Sequence, residues 1–344
     1  ECSFFQSWGW MGRWLTDFGA ALTPVVIRVW LGEQLVGLGV FLPRQIRRRA
    51  LFHVSAMFLN EYPFDGKNMV IEYNGLLAAH GHEQAVYAET VSFLLEQHPG
   101  VDEFHFGAMA DQPDLVNLQQ AIDPSCRLLV EDMSTAWQVN LGTLNPGLQA
   151  FIDTLSKKRR NQLRRSLRHY EESGPVSLVE AADREQALAF FAGLKELHTR
   201  RRQRKGEGGA FANPGWEQFH RRLILERFDA GEIQLLRVSN AHMTIGYLYN
   251  LIWRKQVYVM QTGLSMTDDR RDQPGYVVHA LAIAHNRDRG MSGYDLMHGD
   301  SLYKQILCGE NRKLVWAVVQ RPLMKFRVEN AVVALVRHVR GLVN

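Results

Sequence analysis

Two acids, a histidine, a tyrosine and a lysine fall in one short run, Tyr294-Asp295-Leu296-Met297-His298-Gly299-Asp300-Ser301-Leu302-Tyr303-Lys304. The run follows a predicted strand, Gly293–Met297, and sites on α/β sheets lie just past strand ends. Transfer of a group from a phosphate-bearing donor to a nucleophile needs a base for the nucleophile's proton, and positioned bases contribute roughly 100 to 10,000-fold. It also needs a backbone N–H for the developing oxyanion and a weak acid for the departing group. Asp300 and His298 suit the base, and Tyr303 the acid. Lys304 suits a phosphate or an acidic acceptor group. Asp295 alternates with Tyr294 and Leu296, so it faces the other side of the strand, to meet the acceptor or brace the loop. Tyr258, on another strand, is the third expected acceptor contact. Each residue also has a plain structural reading: His298 and Asp300 as caps of the following helix, Tyr303 as a packing residue.

A second group lies upstream. Gln273-Pro274-Gly275 opens a predicted helix beside the sheet, where unpaired N–H groups and the positive dipole end suit a phosphate. Arg271, Gln273, Pro274 and Gly275 are therefore the expected donor contacts. Thr262 and Gly263, at the end of the strand Val257–Gly263, are expected to supply the oxyanion N–H. Asp268, Asp269 and Asp272 stand close by and oppose a pyrophosphate, partly offset by Arg270 and Arg271.

These groups need a scaffold. Ile233–Val238, Thr244–Trp253 and Val257–Gly263 read as strands joined by tight polar turns at Ser239-Asn240 and Arg254-Lys255, an antiparallel meander. Val277, Ala280, Leu281 and Ala284 give the next helix one apolar face, closed by Gly290. Upstream lie a predicted helix from Leu148 to Glu172, a strand Val176–Val179, and helices Arg184–Arg202 and Pro214–Phe228. The first half has a short helix over Gln6–Phe18, a hairpin over Pro24–Phe41, a helix over Glu83–Gln97, a strand over Val101–Phe106, a helix over Asp114–Ala121 and a strand over Arg127–Val130. Asn145-Pro146-Gly147 punctuates the chain, so the expected organisation is 1–147, 148–322 and a basic amphipathic helix over 323–344.

Composition sets the outer bounds. The chain has 344 residues, 46% hydrophobic and 22% charged, which fits two globular cores and excludes a disordered chain. No apolar run approaches the roughly 20 residues that span a bilayer, and no secretory signal is visible, so a cytoplasmic protein is expected. The three cysteines, Cys2, Cys126 and Cys308, suggest neither a disulfide framework nor a zinc site. No metal site is expected from the histidines. The net charge of +4 gathers in clusters at Arg44–Arg49, Lys157–Arg168 and Arg200–Lys205. Such clusters attract phosphates, nucleic acid or anionic lipid, or are solvated helix faces. The basic tail either packs on the body or makes a peripheral contact with the inner membrane.

The element order resembles the GNAT acyltransferase superfamily. More narrowly, Ser156-Lys157-Lys158-Arg159-Arg160-Asn161-Gln162-Leu163-Arg164-Arg165, the Gln273-Pro274-Gly275 corner, Tyr294-Asp295-Leu296 through Gly299-Asp300, and Tyr303-Lys304 resemble the CelD/BcsL-type acetyltransferase-like family of exopolysaccharide biosynthesis, related to the FemAB aminoacyl transferases. The resemblance implies a mixed α/β fold with tandem GNAT-like, FemAB-like halves. It implies acetyl-CoA or another acyl-CoA as co-substrate and a saccharide or other small-molecule acceptor. One departure is plain: Pro274 and Tyr276 stand where the usual phosphate loop has glycines. That keeps two alternatives open, an aminoacyl-tRNA donor and a silent subunit of a polysaccharide synthase. A nucleic-acid binder is a weaker further reading, because the basic clusters come with no known binding motif. The oligomeric state is not legible.

Overall fold

The computed structural model describes residues 2–332 except 20–21, 49–51, 62, 65–66, 69–70, 268, 270, 300 and 330. Its helices are α1 (Trp8–Phe18), α2 (Glu83–Gln97), α3 (Val116–Ala121), α4 (Leu148–Thr154), α5 (Lys157–Glu171), α6 (Arg184–Arg204), α7 (Pro214–Arg227), α8 (Pro274–Asp288) and α9 (Leu302–Leu307). Its strands are β1 (Val25–Leu31), β2 (Gln34–Arg48), β3 (Phe52–Leu59), β4 (Pro63–Phe64), β5 (Lys67–Asn68), β6 (Leu77–Ala78), β7 (Glu103–Ala110), β8 (Arg127–Asn140), β9 (Ser177–Glu180), β10 (Ile233–Ser239), β11 (Thr244–Trp253), β12 (Gln256–Leu264), β13 (Gly293–His298) and β14 (Glu310–Gln320). The chain divides into two compact units. One comprises Ser3–Asp17 and Ser134–Lys313, the other Phe18–Met133 and the chain from Leu314 onward. Among the described residues no helix is long and apolar enough to cross a membrane.

In the first unit β9, β10, β11 and β12 run antiparallel. The β11–β12 turn is made by Arg254 and Lys255, both at positive φ (48° and 65°). This is the left-handed pair that a two-residue hairpin demands, adopted here without glycine. α8 then crosses over, and β13 pairs parallel with β12 through Gln256↔Gly293, Val257↔Tyr294 and Tyr258↔Asp295. The recorded pairing stops there, although β12 continues to Leu264 and β13 to His298. The two strands therefore part company at the end that leads into α8 and α9. On its other side β13 pairs antiparallel with residues 136–140.

α8 is seated on this sheet by apolar residues at its start, Val277 and Val278, and by Ile283, all buried. Its C-terminal half is tied by a buried amide network: Asn286 and Asn250 both bond the Gln234 side chain, at 3.2 and 2.8 Å. α6 lies close against β12. A Cβ on Gly263 would come within 2.5 Å of the Leu194 carbonyl oxygen, so only glycine allows that approach.

The second unit repeats the plan. β1, β2 and β3 are antiparallel, β3 pairs parallel with β7 through Ala56↔Glu103, Met57↔Phe104 and Phe58↔His105, and β14 pairs antiparallel with β7. Phe41, Phe104, Phe106 and Val315 fill its core against Val86 and Tyr87 of α2.

Three elements differ from the sequence reading. The helix expected over Leu148–Glu172 is two helices. The Leu155 N–H closes on the Ile152 carbonyl at 3.2 Å and Ser156 is extended, which restarts the chain as α5. The hairpin strand expected to end at Phe41 runs to Arg48 and is followed by β3, which no sequence pattern suggested. The strand from Arg127 runs to Asn140. Residues 324–329 are helical. The expected tail helix beyond 332 lies outside the described residues.

Candidate functional site

A cavity of about 500 Å³ lies at the end of β12, where Leu264 lines it; Thr262 and Gly263 are not among its lining residues. Gln273, Pro274, Gly275 and Tyr276 at the start of α8 line it, with Leu264–Thr267 and Asp272 before them. Arg201, Arg204 and Lys205 from the C-terminal end of α6, and Tyr303 of α9, complete it.

The start of α8 is built to leave a donor exposed. Pro274 occupies the first helical position and has no N–H, and Gln273 makes no side-chain cap. The Tyr276 and Val277 N–H groups both go to the Gln273 carbonyl, at 3.0 and 3.2 Å. The Gln273 N–H is held by the buried Ser166 hydroxyl of α5 at 3.0 Å. Gly275 is thus the first-turn N–H left without a carbonyl partner among the described residues. A Cβ there would find only ordinary contacts, 3.5 Å to Leu264 and 3.9 Å to Tyr303.

Asp269 and Asp272, before α8, are engaged. Arg271 grips Asp269 with two nitrogens, the shorter contact being 2.6 Å, and its hydrogen bonds hold that carboxyl down to about 2. Asp272 accepts from the Thr267 hydroxyl, and the His169 ring lies 3.3 Å from it and 3.6 Å from Asp269. Arg271 is therefore committed to Asp269 and is not among the residues lining the cavity.

The end of β13 is a bulge held by two charged side chains. Met297 and Gly299 adopt positive φ (64° and 122°). The buried Asp295 carboxylate accepts the Met297 N–H at 2.6 Å, and the buried Lys304 ammonium donates to the carbonyls of Met297 and His298 at 3.3 and 2.6 Å. Asp295 and Lys304 thus brace the turn from inside. Tyr258 is also buried, with its ring edge-on to Phe5 at 6.2 Å. His298 pairs with Ala136 at the strand end. Asp300 lies outside the described residues, and Ser301, not Asp300, is the residue preceding α9 at its N-terminus.

Tyr303 reaches the cavity and stacks on the buried His279 ring at 5.2 Å. His279 in turn bonds the Tyr294 hydroxyl at 3.0 Å, and burial pushes its pKa down to about 3, so it is neutral. Burial pushes the Tyr303 phenol up to about 12, against the pull of the Arg201 charge. A phenol at that value keeps its proton at neutral pH and can donate a hydrogen bond into the cavity. Burial also raises the Cys308 thiol, which excludes a standing thiolate there. Thr262 and Gly263 stand on the diverging part of β12, and the Thr262 N–H is taken by the Gln261 side-chain oxygen at 3.0 Å. No group of three or more potential metal ligands occurs among the described residues.

Sequence reasoning missed His279 and placed the α6 cations in a cluster without a site. A basic run at a helix end was the only signal available for Arg201, Arg204 and Lys205.

Residues 157–305 match a family model described as an acetyltransferase (GNAT) domain. This stretch is similar to GNAT acetyltransferase domains. It runs from the start of α5 into α9 and contains every wall of the cavity. The whole chain is similar in fold to FemX, with a TM-score of 0.61 at 9% identity over 96% of this chain and 94% of that one. It is also similar to the C-terminal DUF2156 domain of a candidate lysylphosphatidylglycerol synthetase from Agrobacterium fabrum, with a TM-score of 0.53 at 10% identity over 86% and 84%. The third is L-PGS from Bacillus licheniformis, with a TM-score of 0.51 at 10% identity over 89% and 87%. No curated protein sequence matches the chain. The fold class expected from the sequence, mixed α/β of the GNAT and FemAB-like kind, is the one observed.

Proposed function

We propose that this protein moves an acyl group from acyl-CoA to an amine or hydroxyl of a sugar or cell-envelope precursor. The observation that carries the reading is that Leu264 at the end of β12, the start of α8 and Tyr303 line one cavity. The pyrophosphate takes the Gly275 N–H and the helix dipole. The pantetheine arm follows the edge that β12 leaves unpaired, which brings the thioester carbonyl to Thr262 and Gly263. The acceptor nitrogen attacks the carbonyl carbon, and its proton passes to a base, for which Asp300 and His298 remain the candidates. The C–S bond then breaks, and the thiolate leaves while accepting a hydrogen bond from the protonated Tyr303 hydroxyl.

The test is a calorimetric titration with acetyl-CoA, longer acyl-CoAs and charged tRNA, on the wild type and on Gly275→Glu. Saturable acyl-CoA binding that Gly275→Glu abolishes supports the assignment. Equal affinity in both proteins overturns it.

A second reading keeps the site and changes the donor to an aminoacyl ester of tRNA. The fold similarity to FemX across the full chain favours it, together with the basic faces of α5 and α6. Binding of charged tRNA without acyl-CoA binding selects it.

A further inference from the structure

The acyl-transfer reading leaves the acceptor open, and one wall of the cavity speaks to it. α6 ends in the run Thr199-Arg200-Arg201-Arg202-Gln203-Arg204-Lys205. Its cations divide into two sets. Arg200 is paired with Glu196 at 2.5 Å and Arg202 with Glu207, and neither lines the cavity. Arg201, Arg204 and Lys205 do line it, and Arg201 and Lys205 form no ion pair with an acid among the described residues. A helix end that neutralises its outward cations and leaves Arg201 and Lys205 without an acid among the described residues is organised for an anion that is not part of the chain. Like charges held close together repel, and a bound anion relieves that cost.

We propose that Arg201, Arg204 and Lys205 form an anion subsite that selects an acceptor carrying a phosphate ester and holds that phosphate beside Tyr303. The inference rests on the acyl-transfer reading. The donor phosphates are already provided for at the Gly275 N–H, on the wall that also carries Asp272. The cations stand instead on α6, near the phenol that hydrogen-bonds the leaving group, where the attacking nucleophile must arrive. α6 cannot swing away from the thioester, because its Leu194 backbone is packed on Gly263. The Arg201 charge acts on the Tyr303 phenol, which places the two groups within electrostatic reach.

Three acceptors test the proposal with acetyl-CoA as donor: glucosamine, glucosamine 6-phosphate, and vesicles of phosphatidylethanolamine. Transfer is followed by thiol release on the wild type and on R201A/K205A. A preference of at least tenfold for glucosamine 6-phosphate or for the vesicles over glucosamine, lost in R201A/K205A, is expected. The first result names a soluble phosphate ester, the second a lipid headgroup. Equal use of glucosamine, or a preference that survives in R201A/K205A, overturns the subsite. If none of the three is acetylated, titration of glucosamine 6-phosphate into the wild type decides: no binding, or binding that R201A/K205A retains, overturns it. Titration of acetyl-CoA alone reads the acyl-transfer proposal separately, since its failure leaves the phosphate titration interpretable. R201Q and K205Q, each expected to lose part of the preference, serve if the double variant does not fold.

Discussion

Tyr303 and Lys304 are neighbours in sequence with opposite duties. Tyr303 faces the cavity with its proton held by burial, so Tyr303→Phe is expected to lower turnover by roughly 100-fold or more with little change in acyl-CoA affinity. Steady-state kinetics with a titration on the same variant checks this. An unchanged turnover removes Tyr303 from the acid role. Lys304 spends its ammonium on two carbonyls of the β13 turn. Lys304→Met is therefore expected to cost about 1–3 kcal/mol of stability, because buried acceptors lose their donor. Chemical denaturation measures that loss. A variant of normal stability and raised KM would restore Lys304 to the acceptor. The sequence could flag both residues as able to do chemistry. It could not separate them, because the split depends on a bulge whose positive φ values fall on Met297 and Gly299. The pairing of Arg271 was hidden for a similar reason: its partner Asp269 is two residues away, and nothing in the order of residues says which of the neighbouring ions it chooses.

At the scale of elements, the sequence announced β10 to β12 and α8 because short turns and a Pro-Gly corner carry local rules. It hid β3 and the far half of β8. Arg47 and Arg48 interrupt the apolar pattern that would mark a strand, and Glu131-Asp132 does the same in β8. The break between α4 and α5 was equally silent, since Leu155 and Ser156 are acceptable inside a helix and only tertiary packing ends α4 there. The contact of α6 with β12 was also invisible. Gly263→Ala places a Cβ against the Leu194 carbonyl, and neither backbone can retreat cheaply. The expected outcome is a loss of about 1–3 kcal/mol, as for other overpacked cores. Because α6 carries the cavity cations, KM for the acceptor is expected to rise as well. A melting curve together with acceptor kinetics reads both. A neutral substitution would mean that α6 and β12 can slide.

Across the whole molecule, the two units share a meander, a helical crossover and a three-pair parallel ladder, a repeat that strand topology reveals and residue identity conceals. They differ in how they bury charge. The first unit holds three histidines neutral in its interior: burial lowers His279 and His220 to about 3 and His198 to about 4. The unfolded chain titrates near 6.5. Between those values the unfolded state binds more protons, so stability is full above about pH 6.5 and falls with pH down to the folded values. Each histidine contributes a slope of up to about 1.4 kcal/mol per pH unit in that window. His220→Gln is expected to flatten the acid limb of a stability-against-pH curve by about that slope, whatever it does to stability at pH 7.5. Urea melts between pH 7.5 and 5 measure it, and an unchanged slope would mean that His220 is charged in the folded state.

The Gln261 amide on the Thr262 N–H gives the resting site a tenant of its own. A thioester carbonyl that wants this donor must evict a tethered rival whose effective concentration never falls. A net hydrogen bond is worth about 1 kcal/mol, which corresponds to about a fivefold weaker apparent donor affinity. The same occupancy denies the donor to water between turnovers. Gln261→Ala is then expected to bind an acyl-CoA analogue about fivefold more tightly, and to hydrolyse acyl-CoA faster when no acceptor is present.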